Sequence, residues 1–275
     1  MGNNFYRDKN EYAISTYLFE NWDLESALHS VAAHGFNSVE LWADESHHVD
    51  PRSLADEHKV RALLKEYNIR VHSIHTPFRK FRPFDSIEEA RAHRINVKKA
   101  SIDFCGRFEI PIAVIHACDR KEYNASKADI PYLHDALTEL ADYAHKQGVK
   151  LALENIPSGK NKDDEVLCTL INQHALFGDI KNLYFCLDIG HVTITSNDMQ
   201  KEIETVEPER LITFHIHNND GKSDSHRLPD DGIIDWPKWH DMIRNRGFKD
   251  QFVFEICEYG NPFAKMDAIS ALFKE

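Results

Sequence analysis

The chain has 275 residues, 42 % of them hydrophobic and 28 % charged, with 11 Gly and 10 Pro, a balance that excludes disordered, fibrous and membrane-spanning classes. Asp and Glu number 45 against 33 Lys and Arg, and the resulting net charge of -12 opposes binding to nucleic-acid phosphates or acidic lipid. Five cysteines are scattered without a C-x-x-C pair, so neither a disulfide framework nor a thiolate zinc site is expected.

Short apolar and β-branched runs alternate with longer segments of helical period, which predicts repeated βα units. Strands are expected at 12–16, 38–41, 70–75, 112–116, 150–154, 183–188, 211–217 and 252–256. Between the first two, Asp23 is placed to cap a helix whose apolar residues Leu24, Ala27, Leu28, Val31 and Ala32 end at Gly35. A second clear helix carries Leu133, Ala136, Leu137, Leu140 and Ala144 and stops at Gly148. Eight such pairs predict an α/β fold, a (β/α)8 TIM barrel forming a single domain over 1–275, with its active site at the C-terminal ends of the strands. A doubly wound sheet is the runner-up, but no G-x-G-x-x-G follows the first strand. Residues 1–11 are polar and no later stretch is apolar enough to span a bilayer, so a cytoplasmic protein without membrane contact is expected.

From the second strand onward the strand ends carry Glu40, His75, His116, Glu154, Asp188, His217 and Glu255. A barrel directs these side chains toward one axis, and carboxylates packed there without a counterion would cost several kcal/mol each or take up protons. A divalent cation resolves the conflict, and carboxylates with imidazoles form the ligand set of zinc, manganese or iron. Three residues past Asp188 stands His191, and Asp224-Ser-His226 follows the seventh strand; both suit a second or third ion.

The motifs Leu-Glu-Asn (153–155), Leu-Asp-Ile-Gly-His (187–191) and the run from His215 to Trp236 make the sequence resemble the xylose-isomerase-like TIM-barrel superfamily over nearly its whole length. That superfamily includes sugar-phosphate isomerases and epimerases and also endonuclease IV, of AP endonuclease family 2. The resemblance implies one divalent ion on Glu154, Asp188, His217 and Glu255. Endonuclease IV-like members add ligands that correspond here to His75, His116, His191, Asp224 and His226, implying capacity for up to three ions, with zinc or manganese the expected metal. By analogy with the epimerases, Glu154 and Glu255 are expected to flank the substrate, one removing a proton next to a carbonyl and the other returning it through a metal-stabilised enediolate. His191 is expected to orient a substrate hydroxyl where no extra ion binds.

The expected function is therefore a metal-dependent isomerase or epimerase acting on a sugar, polyol derivative or sugar phosphate. The alternative is an endonuclease IV-like multi-zinc phosphodiester hydrolase acting on abasic DNA, opposed by the acidic charge and by the acidic loop after Trp42. Glu40 is read either as a substrate contact or as a partner of a strand-one residue. Trp42 is read as core packing with sugar stacking as the sharper alternative. Arg79, with Lys80 and Arg82, is a candidate for a substrate phosphate or carboxylate. His215 shares the face of His217 by period two and is expected to be a hydrogen-bonded residue of the barrel interior. His47 and His48 are expected at the solvent surface, the cysteines as small buried apolar groups with Cys186 facing the barrel interior, and a homodimer as the default assembly.

Overall fold

Alternation of β-branched runs with amphipathic helices closes the chain into a barrel of eight parallel strands in sequential order, β1 pairing with β8. The computed structural model describes residues 6–44, 48–78, 84–117, 129–157, 167–196, 198–257 and 260–273. The strands are β1 (Tyr12–Ser15), β2 (Ser38–Trp42), β3 (Arg70–His75), β4 (Ile112–Ile115), β5 (Lys150–Glu154), β6 (Leu183–Asp188), β7 (Leu211–Ile216) and β8 (Phe252–Phe254). The helices are α1 (Leu24–Ala33), α2 (Leu54–Glu66), α3 (Ile87–Phe108), α4 (Ile130–Lys146), α5 (Leu170–Phe177), α6 (Ile189–Thr195), α7 (Met199–Thr205), α8 (Trp236–Asn245) and α9 (Pro262–Ala271). All eight expected strands are present, and β3, β5 and β6 have the expected ends.

Most helix starts are set by side-chain caps, α4 being an exception. Asp23 accepts from the Ser26 amide at 2.7 Å to open α1, and Ser53, Ser86 and Thr169 do the same for α2, α3 and α5. Gly35 and Gly148, after α1 and α4, adopt φ of +78° and +73°, which glycine reaches without a Cβ penalty. The main core lies between the strands and the helices, and it holds most of the buried aliphatic and aromatic side chains.

Inside the barrel, the apolar cluster among the described residues is small: Ile112, Val114, Ala152 and Cys186. The remaining interior is polar: Glu40, His72, Ser73, Thr213 and His215 are all buried there, where TIM barrels usually stack branched apolar residues. Cys186 faces this interior as expected, and Cys105 and Cys168 are buried, but Cys257 is only partly so; Cys118 lies outside the described residues. No described helix is long and apolar enough to cross a membrane.

Candidate metal centre

Three groups of donor atoms meet at the C-terminal mouth of the barrel, and within each group the donors lie within 4.8 Å of one another. The first is His75, His116 and Glu154; the second is Glu154, Asp188, His215 and Glu255; the third is His191, His217, Asp224 and His226. Glu154 belongs to the first two groups, and Asp188 joins the second to the third through His217, whose Nε2 lies 3.0 Å from its Oδ1. The nine residues singled out from the sequence are thus brought together.

Their placement follows from the strands. His75, Glu154 and Asp188 are the last residues of β3, β5 and β6, while His116, His217 and Glu255 follow β4, β7 and β8 directly. His191, expected on a loop, instead occupies the first turn of α6, because Asp188 caps that helix by accepting from the His191 amide at 2.7 Å. Gly190, between them, is where His217 passes: a Cβ there would overlap the imidazole ring. Asp224 and His226 sit on the loop after β7, held by the bridge between Asn218 and Arg227 and by the Cys257 amide donating to the His226 carbonyl.

The hydrogen bonds behind the imidazoles settle which nitrogen faces the centre. Nδ1 of His75 donates to the Thr76 carbonyl at 3.1 Å, Nδ1 of His191 to that of Asn155 at 2.8 Å, and Nδ1 of His226 to that of Glu255 at 2.7 Å. Each therefore presents Nε2 to a carboxylate: His75 to Glu154 at 3.1 Å, His191 to Asp224 at 3.3 Å, and His226 to Asp224 at 3.0 Å. A backbone acceptor on one ring nitrogen with the other aimed at a carboxylate is how a ligating histidine is oriented. Glu154 and Asp188 are essentially inaccessible, and their neighbours of opposite charge in this centre are imidazoles. The donor set, its burial and the ring orientations all fit divalent cations with oxygen and nitrogen ligands.

With protons as the only cations, the same geometry shifts several of these titrations. Burial would depress His191, but Asp188 and Asp224 overcome it and raise the group to about 10; His226 is raised to about 9 against burial by Asp224. Burial pushes His116 down to about 4, against Glu154. Asp188, despite burial, is lowered to about 2 by His191 and His217. Glu154 and Glu255 are likewise held below the usual carboxylate range in spite of burial, chiefly by His215, which is itself raised.

The centre opens into a cavity of about 420 Å³ lined by Tyr17, Trp42, Phe78, Ile156 and Pro157 together with seven of the donor residues. Trp42 is buried against Tyr17, with ring centroids 5.0 Å apart, so packing is its main role, yet one part borders the cavity. Phe78 lies over His75 and His116 at 4.8 and 4.4 Å between centroids. Tyr17 and Phe78 were not predicted from the sequence; the only available signal was their position just past β1 and β3. A further cavity of about 580 Å³ between α3 and α4 contains none of the donors.

Glu40 is fully buried inside the barrel and does not line the cavity. Its partner is not a strand-one residue: Oε2 accepts from Ser73 Oγ at 2.8 Å and from His215 Nε2 at 3.1 Å. The expectation that His48 is exposed is wrong, since its ring is buried between Thr16 Oγ1 at 3.0 Å and the Phe19 carbonyl at 2.9 Å. His215 is an interior hydrogen-bonded residue as expected, but its Nδ1 also reaches the centre. Arg79, Lys80, Arg82 and His47 lie outside the described residues.

Several known proteins are similar to this chain in sequence or in fold. Fructoselysine 3-epimerase of Shigella flexneri is 23 % identical over 239 residues, covering 85 % of this chain and 85 % of its own. A D-tagatose 3-epimerase-like protein superposes with a TM-score of 0.77 at 20 % identity, over 96 % of both chains. The IOLI protein, whose structure holds a zinc atom, superposes at 0.72 with 18 % identity, over 96 % of this chain and 95 % of that one. The profile of the xylose isomerase-like TIM barrel matches residues 28–275, and the chain belongs to that family.

Proposed function

We propose that the protein is a divalent-metal-dependent sugar epimerase that inverts a carbon next to the carbonyl of a ketose or ketose derivative. The observation that carries this reading is the pairing of Glu154 and Glu255: one donor oxygen of each lies within 4.8 Å of the other and of Asp188, at the base of a cavity whose remaining walls are largely aromatic and apolar. Support comes from the 3-epimerase relatives and from the zinc-bearing neighbour.

Glu154, Asp188, His217 and Glu255 would hold the ion. When bound, it supplies positive charge beside the substrate's carbonyl and hydroxyl oxygens and so acidifies the carbon-bound proton. Glu154 and Glu255 then take the two proton-transfer roles, one accepting the proton from one face of the carbon and the other delivering a proton to the opposite face. His191, fixed by the Asn155 carbonyl and the Asp188 cap, orients a substrate hydroxyl. Trp42, Tyr17 and Phe78 supply the apolar walls that exclude water from the reacting carbon.

A second reading, a multi-metal phosphodiester hydrolase acting on abasic DNA, draws on the three complete donor groups. The net charge of -12 and the lack of Arg or Lys among the described cavity residues weigh against it. The test is incubation of the manganese-loaded protein with a panel of ketohexoses in deuterium oxide. Deuterium at the carbon adjacent to the carbonyl, with a new epimer, supports the proposal. Nicking of abasic duplex DNA that a chelator abolishes, without exchange on any ketose, would replace it with the hydrolase.

A further inference from the structure

The cavity of about 580 Å³ between α3 and α4 has two unlike walls. On the α3 side stand Arg91, Arg94 and Lys98, spaced i, i+3 and i+7 and therefore stacked on one stripe of the helix. On the α4 side the wall is apolar and built by Leu133, Leu137 and Leu140, while Ile87, 54 % exposed, belongs to the same lining. Arg94 and Lys98 are only 8 % and 6 % exposed, although long basic side chains seldom leave solvent. Lys98 is fixed by donating to the His116 carbonyl at 2.9 Å, and the Arg91 guanidinium lies 3.9 Å from the centre of the Tyr132 ring. Asp129 is the one carboxylate among the described lining residues, and it pairs with Arg91. It also stands at the N-cap of α4 but makes no side-chain cap bond, so the positive end of that 17-residue helix adds to the field. In a chain of net charge -12, positive charge is concentrated here against an apolar wall.

We propose that the cavity between α3 and α4 binds a small organic anion, with a carboxylate, phosphate or sulfonate head on Arg94 and Lys98 and an apolar body on Leu133, Leu137 and Leu140. Arginine offers a planar fork for two oxygens of the head, and lysine a compact point charge. Burial lowers the local dielectric and strengthens their attraction to an anion. Both side chains are already confined by the fold, so the cost of ordering them falls on folding rather than on binding. The leucine wall makes the second demand: a bare inorganic anion leaves it uncovered, and a neutral ring leaves the cations unused. This site is separate from the metal centre, and the inference does not rest on the proposed epimerase function.

The test is calorimetric titration of the chelator-treated full chain with benzenesulfonate, which carries both halves of this chemistry and is a poor metal ligand. One saturable site per chain is expected. Benzyl alcohol, which lacks the charge, and sulfate, which lacks the body, should each bind at least about ten-fold more weakly, as should benzenesulfonate to Arg94→Gln and Lys98→Met, each of which removes a charge-assisted contact. Absence of saturable binding overturns the proposal, as does sulfate or benzyl alcohol binding as tightly as benzenesulfonate, or binding that both substitutions leave unchanged. If a buried cation proves necessary for folding, Ala136→Trp gives a second arm: it fills the cavity from a half-buried position without altering a charge. That variant should lose benzenesulfonate binding, and wild-type affinity in it refutes the site. Because neither sugar nor metal enters the titration, failure of the epimerase reading would leave this result standing.

Discussion

Replacing Gly190 by Ala tests how closely the centre is packed. The added methyl would overlap Cε1 and both ring nitrogens of His217. Non-bonded carbons need about 3.5–4.0 Å, so the ring or the start of α6 must move by about 1.5 Å or more. Retreat of the ring is blocked on one side by His226, stacked on it with centroids 3.8 Å apart and planes at 17°. The backbone is held too, because the Gly190 carbonyl accepts from Asn219 Nδ2 at 2.8 Å. Overpacking of this kind costs about 1–3 kcal/mol, or a melting temperature lower by about 2–10 °C in a chain of this size. Manganese affinity should fall by more than about ten-fold, since the proposed ligand His217 is displaced. Gly106→Ala is the control: its Cβ would meet Gln147 atoms only at 3.5 Å or beyond, and a helical Gly to Ala change gains about 0.5–1 kcal/mol. Calorimetric titration with manganese and thermal unfolding read both. A Gly190→Ala protein that melts and binds metal as wild type would refute the claim that the glycine of this motif exists to admit His217.

Other outcomes follow from the same geometry. Glu154→Gln and Glu255→Gln should each lower turnover by at least about 100-fold, the usual scale of a lost acid or base; near-wild-type deuterium exchange in either would remove that residue from the proton-transfer pair. In the metal-free protein His191 and His226 are raised from 6.5 to about 10 and about 9, so the stability they contribute is complete below pH 6.5 and is lost as pH rises through those values. Unfolding of chelator-treated protein at pH 6, 8 and 10 should show this loss, and a flat profile would contradict the ion-pair geometry around Asp224. Manganese at about 100 times its dissociation constant should add about 2.7 kcal/mol to stability, and no rise in melting temperature at saturation would exclude a resident site.

The barrel was legible because its signals are local. β-branched runs, the Asp23 cap and the glycines after α1 and α4 each specify their own segment, and eight repetitions leave few topologies. The donor residues were legible because strand ends in this fold share one mouth, so positions such as Glu154 and Asp188 converge whatever their separation in sequence. Three features were not legible. Glu40 stands two residues before the end of β2, and only the register there, with its irregularity between Val39 and Glu40, puts it beneath the centre. The burial of His48 depends on hydrogen-bond partners at Thr16, Phe19 and Trp22, which are distant in sequence. The helical start of His191 arises because Asp188 is both a donor to the centre and the cap of α6, two roles that a motif cannot distinguish.

That double use of Asp188 points to how the centre tolerates so much buried charge. Asn155 receives the Asp188 amide at 2.7 Å and donates to its carbonyl at 3.0 Å, while Gln173 donates to the Glu154 carbonyl at 2.7 Å. The backbone at these two donor residues is therefore held by the side chains of Asn155, just past β5, and of Gln173 on α5, so their placement is fixed in folding and needs no cation. The third donor group departs from this pattern. His226 sits on a loop with φ of +42°, a left-handed conformation that is costly for a residue with a Cβ, and is kept there by its own bonds to Glu255 and Cys257. A residue held against its backbone preference by contacts to a strand end is spent on position, and the position it secures is Nε2 facing Asp224. The loop after β7 thus belongs to the centre as firmly as the strands do, which sets the third group apart from a merely polar rim.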